Sequence, residues 1–145
     1  MLLDNIMNID KFFYMMSSRN DSNTQKRGIE EAKKIKNFSI LILPQLVCES
    51  KWVWENCAKV LAYKSDSELQ RYYHKLFEWF KDMNWPGADI IWKRLKTVSW
   101  MQLEDSFNFC YNIAVQTNDI PWKCALDEFK RDYEMSIITL NDSGY

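Results

Sequence analysis

Apolar residues recur along most of this chain at helical spacing, with polar punctuation between the recurrences. Val53, Trp54, Cys57, Ala58 and Leu61 fall on one face of a helix. Leu69, Tyr72, Tyr73, Leu76, Phe77, Phe80 and Met83 form a longer stripe, and Ala88, Ile91, Trp92, Leu95 and Val98 a third. Leu103, Phe107, Cys110 and Ala114 mark a fourth, and Trp122, Ala125, Phe129 and Tyr133 a fifth, opened by Pro121. Upstream, Ile9, Phe12, Phe13 and Met16 predict a short first helix with Asn8 as its cap, followed by a polar linker over 17–23. Ile29, Ala32 and Ile35 then predict a helix over about 24–36. The run Ile40-Leu41-Ile42-Leu43 would suit a strand by itself. No partner strand is evident and Pro44 suits a helical turn, so a short helix is predicted over 38–47. The tail from Asn141 reads as frayed.

Local signals place the boundaries. Ser65-Asp66-Ser67-Glu68 and Ser99-Trp100-Met101-Gln102 both match a capping box, in which a Ser hydroxyl and a Glu or Gln three residues on satisfy free backbone N–H groups at a helix start. The segment Asp82-Met83-Asn84-Trp85-Pro86-Gly87-Ala88 reads as a helix–turn–helix corner. In it Asn84 is the expected N-cap, Pro86 suits the first turn, and Gly87 lets the preceding helix come close.

An internal echo accompanies the stripes. Trp54, Trp85 and Trp122 each precede an alanine, at Ala58, Ala88 and Ala125, and Ala32 marks an earlier, degenerate copy. The spacing lies near the period of stacked helix pairs, in which a small residue on one helix lets its neighbour approach. Composition agrees: 47% of the residues are hydrophobic and 15% aromatic, but there are only 3 Gly and 3 Pro, too few for the turns of a sandwich or barrel. The expected fold is all-α, antiparallel helix pairs in a short HEAT-like α-solenoid stack. It forms a single domain over 1–145, with an N-terminal helix and linker over 1–20, a helical core over 21–136 and a tail over 137–145.

Charge and cysteine usage narrow the setting. A net charge of −1 gives no global attraction for a polyanion or an anionic membrane. The first residues lack the basic start and cleavage site of a signal peptide, and no apolar run approaches a membrane span. Cys48, Cys57, Cys110 and Cys124 show no Cys-x-x-Cys pairing, so free thiols and a cytoplasmic location are expected.

The strings Trp54-Glu55-Asn56-Cys57-Ala58-Lys59-Val60-Leu61, Lys64-Ser65-Asp66, Trp79-x-x-Asp82-Met83-Asn84-Trp85-Pro86-Gly87-Ala88 and Arg94-Leu95 arrive in a recognisable order. Together they resemble a bacterial family of small helical proteins, the domain of unknown function numbered five thousand and seventy-one. The resemblance runs from about Asn23 to Tyr133, with Phe80-Lys81 where the family usually has Leu-Gln. It implies a HEAT-like helical fold in a bacterial cytoplasm, and it supplies no catalytic residue to carry over.

The candidate chemistry is thin. His74 is the only histidine and has no cysteine near it in sequence, which disfavours zinc; a nucleophilic pair with Cys57 or Cys110 would have to form through the fold. Asp82 follows Glu78 by one turn, but no second ligand pair has matching spacing. It reads better as a local acceptor at the next helix start or as a partner for Arg94. The basic clusters Lys26-Arg27, Lys33-Lys34-Lys36 and Lys93-Arg94-Lys96 read as solvated faces. Glycine-based nucleotide motifs are absent. No catalytic residue, cofactor or metal is therefore expected. Seven tryptophans instead favour binding, since Trp is enriched at interface hot spots. Trp54 and Trp92 are expected in the core, whereas Trp52, Trp79 and Trp85, with Asp82, are the expected contacts. The leading expectation is a non-enzymatic protein-interaction module, by fold-level analogy an immunity-type protein that binds and neutralises a toxin. The alternatives are a HEAT-like nucleic-acid enzyme of base-excision type, or a self-associating structural protein.

Overall fold

The computed structural model describes residues 11–42 and 51–142, and among them every regular element is helical. Helix α1 covers 11–16 and α2 covers Ser22–Ala32. Helices α3 (Trp54–Tyr63), α4 (Asp66–Leu69), α5 (Tyr73–Phe77) and α6 (Ala88–Leu95) follow, then the long α7 (Trp100–Gln116) and α8 (Ile120–Asp142). Short 3-10 turns occupy Ser39–Leu41, Lys51–Val53, Gln70–Tyr72 and Glu78–Lys81. The expected cap Asn8 and half of the predicted helix over 38–47 lie outside the described residues; in the described half the regular element is the turn Ser39–Leu41.

Several boundaries move for local reasons. Helix α2 starts at Ser22 rather than near 24, because the Asp21 carboxylate accepts from the Thr24 backbone N–H at 2.9 Å and caps it. The Ser65 box forms in full, with Glu68 reaching back to the Ser65 N–H at 3.2 Å. The second box does not: Ser99 is the N-cap of α7, but its side chain makes no capping bond. Helix α8 reaches Asp142, and the rest of the predicted frayed tail lies outside the described residues. The long stripe from Leu69 is no single α-helix, since it is overwound into 3-10 turns on either side of α5. Overwinding brings i and i+3 into line, and the rings of Phe77 and Phe80 meet at 5.8 Å. It leaves Met83, expected on the stripe, 39% exposed.

Helices α2, α3, α6 and α8 lie side by side and point the same way. Asn56 on α3 bonds Gln25 near the start of α2, and Lys64 after α3 bonds Lys33 and Ile35 after α2. Gly87 abuts Trp54 and Ala58 at the start of α3, while Arg94 reaches Ala62 at its end. Trp92 and Lys96 of α6 both bond Asp132 of α8. The connecting helices do not share one direction: Phe77 meets Phe107 and the Cys110 thiol donates to the His74 carbonyl, so α5 and α7 are antiparallel to each other. The alanines of the echo sit at the joints, with Ala32, Ala58 and Ala88 fully covered and Ala125 nearly so. At Gly87 the close approach is obligatory, because φ is +91° and a Cβ would stand 2.7 Å from that of Ala58.

The joints share a device that spacing alone does not reveal. The Lys64 ammonium donates to the carbonyls of Lys33 and Ile35 at 2.9 Å each, capping the end of α2. Arg94 caps the end of α3 in the same way, through the carbonyls of Ala62 at 3.1 Å and Lys64 at 2.9 Å, and it also pairs with Asp66 at 2.6 Å. Tyr133 completes the series, its hydroxyl donating to the Val98 carbonyl beyond α6 at 2.6 Å. Each free helix end is thus closed by a polar side chain from the next helix of the layer, 29–35 residues along the chain. The core between layers is aromatic: Phe77, Phe80, Trp92, Phe107 and Phe129 form one ring cluster, joined by Tyr133.

Candidate functional site

The parallel layer collects helix starts on one edge, and the tryptophans singled out in the sequence meet there. Trp54 opens α3 and Trp85 stands just before α6; their rings touch edge to face at 5.5 Å. Trp85 is half-buried and Trp54 nearly covered, yet the Trp54 Nε1–H is buried with no hydrogen-bond partner. An orphaned donor costs about 1–3 kcal/mol, so this joint is less well satisfied than the capped end opposite. Two positions before Trp54, Trp52 is 53% exposed, with the Arg19 guanidinium 5.4 Å above its ring. The Lys51 ammonium lies 5.5 Å from the Trp54 ring. Met83, Asp82 and Asn84 continue the exposed surface.

Each residue expected at the corner now has a place. Asp82 is a local acceptor, taking the Asn84 backbone N–H at 2.8 Å; it does not pair with Arg94, which is committed to Asp66. Asn84 is not the cap of α6. Two successive turns, Trp85 N–H to the Asp82 carbonyl and Ala88 N–H to the Trp85 carbonyl, delay the helix to Ala88 and leave Gly87 at the cap position. Trp79 is removed from the proposed contacts altogether. The 3-10 turn rotates it inward, it has no exposed surface, and its Nε1–H donates to the Pro86 carbonyl at 3.2 Å. It holds the corner from beneath. Trp52, Asp82 and Trp85 remain at the surface, and no local pattern announces Arg19 and Lys51 as the cations over the Trp52 and Trp54 rings.

Other candidate chemistry resolves into structural ties. The Cys110 thiol meets the backbone carbonyl of His74, not its ring, and burial pushes its pKa up to about 12. The His74 ring instead faces Phe109 at 6.2 Å. Asp132, accepting from Trp92 at 2.7 Å and Lys96 at 2.9 Å, is held below the usual aspartate range, chiefly by the Trp92 bond. Much of the charge in two basic clusters is neutralised, Lys33 by Glu30, Lys34 by Glu31, Arg94 by Asp66 and Lys96 by Asp132. Among the described residues no group of three His, Cys, Asp or Glu side chains is placed to hold a metal. No described helix is long and apolar enough to cross a membrane.

A small all-α protein with a corner of this kind is the class defined so far. The profile of the family described as Domain of unknown function (DUF5071) matches residues 47–137, and the chain belongs to that family. The match begins at residue 47, so α1 and α2 lie outside it, whereas the resemblance read from the sequence starts at about Asn23. No curated protein and no solved structure matches the chain.

Proposed function

We propose that this protein is a non-enzymatic module that binds another protein through the edge carrying Trp52, Asp82 and Trp85. The observation supporting this reading is an exposed Trp52 and a half-buried Trp85 at the ends of elements braced by Trp54 and Trp79. Large rings held at low entropy cost, beside Arg and Met, are the composition of an interface centre. The repeated joint, closed every 29–35 residues by a side chain of the next helix, favours a short HEAT-like stack as the scaffold. On the same reading the partner is a toxin, and the protein is a cytoplasmic bacterial immunity-type inhibitor; the support here is analogy of fold.

The test is capture of partner proteins by the tagged chain, repeated with Trp52→Ala and Trp85→Ala. A stoichiometric partner lost with Trp52→Ala at unchanged melting temperature supports the edge. A partner retained by both variants removes it. Relief of growth arrest on co-expression with that partner decides the immunity reading.

A further inference from the structure

A cavity of about 460 Å³ lies between α1 and α2. That is the size of small-molecule sites. Its floor is apolar, made by Phe12 and Met15, and its rim carries Lys11, Lys26 and Arg27. None of these three cations has an ion pair among the described residues, whereas Glu30 and Glu31 beside them are tied to Lys33 and Lys34 at 2.9 and 3.2 Å. With Lys33 and Lys34 counted beside Lys11, Lys26 and Arg27, five cations stand against the two acids, so the net charge around the groove is positive. The walls are preset. Gly28 lets α2 lie so close to α1 that a Cβ there would stand 2.7 Å from that of Met15. Lys and Arg stems also extend the apolar floor while their heads remain in water.

We propose that this groove is a binding site for a small organic anion with an apolar body, of the medium-chain carboxylate class. The apolar body lies on Phe12 and Met15, and the carboxylate accepts from Lys26 and Arg27, with Lys11 closing the end. A cation with the same tail meets a net positive groove, and a bare anion gains nothing from the floor. The groove lies on elements outside the matched family region.

The probe is decanoate, titrated into the isotope-labelled full chain and followed by amide chemical shifts, with acetate and decyltrimethylammonium in parallel. The expected result is saturable shifts confined to α1 and α2 for decanoate alone. They should weaken by about tenfold or more in Lys26→Glu/Arg27→Glu, whose side chains are exposed so that folding is retained. Equal response to decyltrimethylammonium, shifts spread over α3–α8, no response to decanoate, or undiminished binding in the double variant would each overturn the site.

Discussion

Among single residues, Cys110 and Cys124 show how place governs chemistry. Cys110 is buried against the His74 carbonyl, and desolvation raises its pKa to about 12; at pH 8 almost none is thiolate, the form that reacts. Cys124 is exposed. Iodoacetamide at pH 8 should therefore label Cys124 in the native protein and Cys110 only after denaturation, read by peptide mass mapping. Comparable native labelling would show that the α5–α7 joint opens readily. Asp132 supplies a pH dependence of the opposite kind. Its folded pKa lies below the ordinary value of 3.8, so its contribution is complete above that value and disappears as pH falls through the lowered one. Wild type should be more stable than Asp132→Asn at pH 6, and the gap in melting temperature should close as the pH is taken below 3.8. A gap that persists at low pH would assign the effect to packing instead. Both sites were only half legible beforehand. Cys110 lies on an apolar stripe, which announces burial, but Asp132 meets Trp92 and Lys96 across 40 and 36 residues, and no local pattern encodes such a meeting.

Individual elements were legible wherever one face is buried at α-helical period. The stripes of α3, α6 and α7 place Cys57, Ala58, Leu61, Ile91, Leu95, Leu103, Phe107 and Ala114 in the core as expected. Legibility fails where winding changes. From Leu69 onward the same apolar positions serve an α-helix or a 3-10 turn, and only tertiary packing chooses; that choice buries Trp79 and exposes Met83. The corner is misread for a related reason. Asn84 has the chemistry of a cap, but the Asp82 carboxylate takes its backbone N–H first and two turns intervene before α6. The energetic weight of the elements falls on Phe129 of α8, which is fully buried with ring contacts to Phe77 of α5, Phe80 of the following turn, Trp92 of α6 and Phe107 of α7. Phe129→Ala should cost about 3–5 kcal/mol by urea denaturation, the range for a large ring deleted from a rigid core. A cost under about 1 kcal/mol would mean that the site collapses freely and that the cluster is loosely packed.

For the whole molecule, the arrangement of joints decides how a disturbance spreads. Polar caps link α2 to α3, α3 to α6 and α6 to α8, each helix to its neighbour in the layer. A stack held by nearest-neighbour terms loses stability locally, whereas a core with one shared centre loses it everywhere. Lys64 separates these cases. It is 5% exposed, its ammonium is satisfied by two carbonyls at the end of α2, and Phe38 lies under it at 5.1 Å. Lys64→Met keeps the apolar stem and removes the charge-assisted bonds, worth about 1.5–3 kcal/mol each at most, and leaves both carbonyls without that donor. Helix α2 has little to replace them, since its fully buried residues are only Gly28 and Ala32. Native-state hydrogen exchange on Lys64→Met should show α2 amides losing protection by one to two orders of magnitude while α7 and α8 keep theirs, because the Phe129 cluster is untouched. Equal loss across α2, α7 and α8 would make the protein one cooperative unit, and the stacked-helix reading would fail with it.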